Sequence, residues 1–310
     1  MLLFIARRIA QMVPMLAAIA LLIFLLFSVI PGSFATGQQD EGLGLDMAVV
    51  QRMRAELGLD DPLHVRFGKY VTQLATFDLG TSFRSRQPVA SMIAARIIPS
   101  LELTFAAMAF AILAGLPLGF IAALRPGSMI DLGSMVVAVS GLSLPKFWLG
   151  ILLMYVFALT LGWFPSFGYG NGGFSHLVLP AVALGVSPMA LLARTTRAAV
   201  LDIMNADFIR TARSKGMNEY RVVTWHVMRN AWVLVLTTIG LQFGSLLGQA
   251  VVVEKLFAWP GIGSLLVDSV FQRDIPAVQG CILVITLFFL VINTSVDIAY
   301  KLIDPRIRYS

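Results

Sequence analysis

The chain has almost no cysteine: Cys281 is the single one in 310 residues. That excludes an internal disulfide and any cysteine-rich metal site. Histidine is nearly as scarce. His64, His176 and His226 stand far apart, and none belongs to an H-E-x-x-H pair. No G-x-x-x-x-G-K-[ST] phosphate loop occurs, so the chain shows no recognisable ATP-binding apparatus. A G-x-S-x-G nucleophile elbow is missing as well. Gly168-Tyr169-Gly170-Asn171-Gly172-Gly173 resembles a phosphate cradle in glycine content only, and reads as a flexible loop. Charge is short too, at 13% of residues. A soluble domain of this length needs more than that to cover its surface.

Hydrocarbon takes the place of charge. Hydrophobic residues make up 58% of the chain, the mean hydropathy is +0.83, and several apolar runs are long. A helix needs ~20 such residues to cross a bilayer core. The expectation is an all-α, multi-pass membrane protein with six transmembrane helices, at about 9–30, 98–124, 133–162, 177–198, 231–253 and 279–302. Pro31-Gly32 and Pro126-Gly127 mark the exits of the first two. Arg7 and Arg8, with Ser33-Phe34-Ala35 as a loose cleavage site, suggest a signal peptide. The apolar stretch from Ile9 to Ile30 exceeds the ~7–15 residues of such a peptide, so it reads as a retained signal-anchor helix. Cys281 falls inside an apolar run and reads as a packed helix residue.

The formal net charge is +6, and its distribution sets an orientation. The loop from Trp163 to His176 contains no Lys or Arg. The segment between spans four and five holds Arg210, Arg213, Lys215, Arg221 and Arg229, with Arg194 and Arg197 at its edge. The positive-inside rule puts that segment in the cytoplasm. Counting crossings then makes both termini cytoplasmic, in accord with Arg7 and Arg8 at one end and Lys301, Arg306 and Arg308 at the other. Three regions result: 1–30, a tail and the first span; 31–97, an external insertion with short helices; and 98–310, a five-helix core that includes a basic loop at about 199–230. Within the insertion, helical spacing from Met47 to Leu57 ends at Gly58, a C′ glycine. A second helix is expected through about Ala75, with Asp61 as N-cap and Pro62 at its first position.

Polar groups inside the spans are functional candidates with structural alternatives. Glu102, just after Pro99-Ser100, suits the positive end of a helix dipole at the outer interface. Asp297 and Lys301 are spaced as an i,i+4 pair. Gln242 and Gln249 share a helix face, which either lines a polar path or bonds to a neighbouring helix. Gly240, Gly244 and Gly248, and likewise Gly115 and Gly119, have the small-xxx-small spacing of close helix packing.

The basic loop is the most charged stretch. Asn205 to Lys215 reads as one helix stopped by Gly216, and Asn218 caps a second running through Met228. Helix–turn–helix units also read DNA, but a segment fixed at both ends to membrane spans could hardly enter a major groove, so no nucleic acid is expected. A protein partner is, with Met217, Tyr220 and Trp225 as candidate anchors.

Here the sequence resembles the permease subunits of binding-protein-dependent ABC importers, in the dipeptide/oligopeptide/nickel branch. Arg210-Thr211-Ala212-Arg213-Ser214-Lys215-Gly216 and His226-Val227-Met228-Arg229-Asn230 resemble that branch's R-T-A-x-x-K-G and H-x-x-R-N. The wider superfamily's E-A-A-x-x-x-G, followed by I-x-L-P, is met at Ala212 and Gly216, whereas Arg210 and Thr211 replace the Glu and first Ala of the former and Arg229 the Pro of the latter. Asp78-Leu79-Gly80-Thr81-Ser82 with Pro88-Val89, Glu254-Lys255-Leu256-Phe257-Ala258-Trp259-Pro260-Gly261-Ile262-Gly263 and Asp304-Pro305-Arg306-Ile307-Arg308 resemble further signatures, so the likeness spans the chain.

The resemblance implies a type I ABC importer permease fold with an external insertion between helices 1 and 2, in the cytoplasmic (inner) membrane. It implies four partners: a second homologous permease subunit, two ATPase subunits that carry the ATP, and an external substrate-binding protein. No cofactor is then expected in this chain. The loop becomes a coupling element centred on Ala212 to Arg221, including Asn218, Glu219 and Tyr220, with Gly216 setting its turn. Cargo in the branch is a di- or oligopeptide, a glutathione-like peptide or a nickel complex; substrate-contacting residues are not assigned. The alternatives are a self-sufficient secondary transporter, for which a buried coupling site and inverted repeats are wanting, and an intramembrane hydrolase.

Overall fold

In lipid a backbone amide finds no water, so an apolar chain satisfies its amides within helices. The computed structural model describes residues 2–29, 61–76 and 78–303, and helices dominate it. In chain order they are α1 (Leu2–Val29), α2 (Leu63–Ala75), α3 (Val89–Leu124), α4 (Met129–Ser143), α5 (Lys146–Leu153, continued by π-helical turns Met154–Thr160) and α6 (Phe174–Met204). Then come α7 (Asp207–Ser214), α8 (Glu219–Arg221, followed by π-helical turns Val222–Val227), α9 (Met228–Leu256), α10 (Ile262–Phe271) and α11 (Ile275–Ile303).

Among the described residues, five stretches are long and apolar enough to cross a membrane: Ala6–Ser28, Val89–Leu124, Phe174–Met204, Leu234–Leu256 and Ile275–Ile298. The sixth expected span, 133–162, is a broken one. Its halves, α4 and Lys146–Thr160, meet at 110°. The cause is Leu144-Pro145: the residue before a proline avoids helical backbone, and Leu144 is extended at φ −79, ψ 128. α3 also starts nine residues before the expected 98. α2 differs at its start. Pro62 is itself extended and occupies the N-cap position without a side-chain cap bond, and Asp61 instead accepts from Lys69 Nζ at 2.7 Å. The helix expected at 47–57 and the Asp304–Arg308 signature lie outside the described residues.

The chain forms two compact units, 1–98 with 261–288, and 99–260 with 289–310. In the first, Phe24 of α1 packs against Phe67 (edge-on, centroids 5.2 Å apart) and Tyr70 of α2. Burial pushes the Tyr70 phenol up to about 12. A second cluster buries Val89, Ile93, Ile262, Leu265, Ala277 and Cys281. Beside it the Asp78–Val89 signature folds as a tight turn, with Thr81 bridging Pro88, and is pinned by Asp274. That carboxylate accepts from the Ser82 hydroxyl and from the Phe83 amide, the latter at 3.1 Å.

The second unit holds the larger core: Leu103, Ala107, Leu184, Leu192, Leu246, Val253, Phe257 and Trp259. Glycine lets α3 and α6 approach closely. A Cβ added at Gly115 would lie 2.6 Å from the Met189 carbonyl oxygen, and Gly119 faces the Ala193 carbonyl in the same way. The stripe on α9 behaves differently. Gly244 faces the Asn293 side chain, but a Cβ at Gly248 would meet nothing within 4 Å. The Glu254-to-Pro260 signature closes this core. Glu254 is buried and accepts from Ser100 Oγ at 2.6 Å, and Trp259 Nε1 donates to the Pro99 carbonyl at 2.8 Å.

Candidate functional site: the basic loop

α6 ends at Met204 rather than continuing, and α7 begins at Asp207. Ile209 and Ala212, three apart on α7, are buried, while its charged residues face outward. The apolar side packs with Phe120 and Ala123 of α3, Ala199 and Val200 of α6, and Val222 and Val227. α7 stops in a Schellman arrangement. Gly216 is left-handed at φ +78; its amide donates to the Arg213 carbonyl at 2.9 Å, and the Met217 amide reaches the Ala212 carbonyl at 3.4 Å. Asn218 caps α8 as expected, its Oδ1 accepting from the Tyr220 amide at 2.9 Å.

A bidentate ion pair ties the two helices across this turn. Arg213 donates through Nε to Glu219 Oε2 at 3.1 Å and through Nη2 to Oε1 at 2.6 Å. The guanidinium holds the Glu219 carboxyl below its ordinary range, and the carboxylate raises Arg213 in return. Thr211 and Ser214 turn their hydroxyls back to the Asp207 and Arg210 carbonyls. Arg210 approaches Asp207 only loosely, at 3.8 Å. Lys215 and Arg221 are exposed, with no ion-pair partner among the described residues. Past α8 the helix continues through its π turns into α9, so the second helix of the loop is the start of a span. There Asn230 donates to the His226 carbonyl at 2.7 Å, and the Arg229 guanidinium lies over the Trp225 ring, 5.7 Å from its centroid.

Of the three anchors expected from sequence, Tyr220 (77% exposed) and Trp225 (62%) face outward. Met217 is half-buried against Ala212 and its neighbours, because the Schellman turn folds it back. Phe208 of α7, 47% exposed, is a further large apolar side chain at the surface of the loop. The sequence reading missed a buried ion pair behind the loop. Arg197 of α6 donates to both oxygens of Asp131 at 2.5 and 2.7 Å, and Asp131 accepts from the Gly127 amide at 2.9 Å. Ser128-x-x-Asp131 is a capping-box spacing, and the Asp131 amide does donate to Ser128 Oγ at 3.2 Å. Among the other candidates, Glu102 accepts from the Tyr169 hydroxyl at 2.7 Å. Gln249 reaches across to Lys146 of α5.

The resulting surface is a braced, basic projection with an aromatic outer side, joined to candidate spans at both ends. It offers no nucleophile–base pair, and no group of His, Cys, Asp and Glu suited to a metal occurs among the described residues. Basic and aromatic side chains of this kind suit contact with another protein.

Comparison with known proteins agrees. The family described as binding-protein-dependent transport system inner membrane component matches residues 115–309, and its N-terminal companion family matches residues 1–104. The chain is 43% identical over 309 residues to the glutathione transport system permease protein GsiC of Salmonella paratyphi A, and 44% identical to its Escherichia coli counterpart; 100% of both chains is covered in each case. In fold it resembles an inward-facing structure of the MetNI methionine ABC transporter, with TM-score 0.58, 19% identity, and coverage of 70% of this chain and 98% of that one. An amino acid ABC transporter structure gives TM-score 0.54 at 17% identity, covering 70% and 95%.

Proposed function

The chain belongs to the family of binding-protein-dependent transport system inner membrane components, and we propose that it forms half of the translocation pathway for ATP-driven uptake of peptides. A second, homologous permease supplies the other half. Two separate ATPase subunits burn the ATP, and an external binding protein delivers the cargo. The cargo is a di- or oligopeptide of the glutathione type, in keeping with the glutathione permeases this chain is similar to.

The observation that carries this reading is the braced loop. A projection that must transmit motion needs internal stiffness and an adhesive outer face. Arg213–Glu219 and the Gly216 turn supply the first, and Phe208 and Tyr220 supply the second. The loop enters an ATPase groove with Ala212 to Arg221 as its docking element, and it lies in the cytoplasm together with both termini. ATP-driven closure of the two ATPases then moves α6 and α9, the two spans it joins.

Purification tests this. The chain should co-purify with ATPase subunits, and the reconstituted complex should take up glutathione or small peptides only with ATP and the loaded binding protein. Uptake by this chain alone under an ion gradient would overturn the reading. Gly216→Val should leave the chain inserted while ATP hydrolysis no longer drives uptake; coupled uptake at the parent rate would count against the assigned docking element.

A further inference from the structure

Lys146 stands at the break between α4 and α5, directly after Pro145. It is half-buried, and its ammonium donates to Gln249 Oε1 on α9. Gln249 Nε2 donates to Ser245 Oγ at 2.9 Å, and Ser245 Oγ donates to the Gln242 carbonyl at 2.9 Å. Gln242, Ser245 and Gln249 recur at helical spacing, so they form one polar strip. Gln249 lies in the candidate span Leu234–Leu256, and Lys146 opens the second half of the bent pair Met129–Ser143 and Lys146–Thr160, which is apolar enough for a membrane only when its halves are taken together. Gln249 and its neighbour Gly248 are exposed, as is Val252, one turn on.

A cation at membrane depth is costly, and it persists where it is paired or where a polar path needs it. Other ionisable groups in the helices of this unit are hydrogen-bonded too, one of them to an opposite charge and two to neutral hydroxyls. Asp131 holds Arg197, Glu102 takes the Tyr169 hydroxyl, and Glu254 takes the Ser100 hydroxyl. Lys146 is bonded to a neutral amide, and no carboxylate among the described residues lies within 4.0 Å of its ammonium. Its charge is therefore oriented but uncompensated. An ammonium has three donors, and Gln249 uses one. The remaining two suit a carboxylate, the group every unmodified peptide carries. A lipid phosphate fits less well: Gln249 lies seven residues inside the end of the Leu234–Leu256 segment, roughly 10 Å along the helix and below headgroup depth.

We propose that Lys146, held by Gln249, binds the C-terminal carboxylate of the transported peptide during passage. This rests on the peptide-importer reading above. It makes α5 and α9 a cargo-contacting wall, and it gives the permease its own selection for free acids beyond that of the external protein.

The test uses the full complex with its binding protein in proteoliposomes. Uptake of glutathione is compared with uptake of its glycyl monoethyl ester, for the parent, K146M and K146R. The external protein is common to all arms, so a change in the acid-to-ester ratio belongs to this chain. K146M should lower that ratio roughly ten- to hundred-fold, the worth of one hydrogen bond to a charged group. K146R should keep the preference for the acid. No preference in the parent, an unchanged ratio in K146M, or equal loss of both compounds would overturn the inference. So would failure of K146M, but not K146R, to co-purify with its partners, since Lys146 would then be an assembly contact. The peptide-importer reading fails differently, by absence of ATP-dependent uptake of either compound in the parent complex.

Discussion

Asp131 and Arg197 lie 66 positions apart and meet with two short hydrogen bonds, the acid almost fully buried. Removing one partner of such a pair leaves the other charge stranded. Asp131→Ala should therefore lower the thermal unfolding midpoint of the detergent-purified chain. Replacing both, as in D131L/R197M, should recover most of that loss, because apolar side chains need no compensation. Arg213–Glu219 is an exposed pair, and an exposed pair is worth only ~0.2–1 kcal/mol. Its pH dependence has a fixed sign. The Glu219 carboxyl is held low in the folded loop, so the bridge contributes fully above the unfolded carboxylate range and is lost as pH falls through the lower folded value. Hydrogen exchange over 207–221, corrected for its intrinsic rate, should rise in acid, and E219Q should show that rise already at neutral pH. Neither pair was legible as a pair in the sequence. In the sequence Arg197 reads only as part of a basic edge, because the long stretch of chain between it and Asp131 hides a partner that only packing reveals.

At the scale of helices, Gly216 and Gly115 are constrained for opposite reasons. Gly216 has open space around it but a left-handed backbone, so alanine there should cost about 1–2 kcal/mol of local stability and valine more. Gly115 has ordinary backbone but no space. Gly115→Val should force α3 from α6 and cost about 1–3 kcal/mol, read as a lower midpoint with unchanged membrane insertion. Most helices were legible as apolar runs, and the Gly216 stop and Asn218 cap were legible as punctuation. The bend in span three was not. Pro14, Pro99, Pro117, Pro180 and Pro188 all sit inside continuous helices, so a proline alone does not announce a break. At Leu144-Pro145 the preceding residue adopts the extended conformation, and that depends on what packs around it. The same limit explains Met217. Its apolar character suggested an anchor, but whether it faces inward is decided by the turn.

For the molecule as a whole, orientation is the point to check. The only cysteine, Cys281, is buried, so a new thiol gives a clean signal. Ser214→Cys should react with an impermeant maleimide in inside-out vesicles and not in intact cells. Labelling from outside the cell would reverse the arrangement of every loop. The multi-span helical plan was legible because hydropathy is summed over many residues and tolerates local error. The broken span carries one more consequence, for biogenesis. α4 has 15 residues and so reaches about 22 Å, short of the ~30 Å of a hydrocarbon core, and Lys146–Thr160 is no longer. Neither half suffices as a stop-transfer signal during synthesis. A nascent chain truncated just after Thr160 should thus remain extractable by alkali, becoming firmly integrated only when α6 has emerged to receive it.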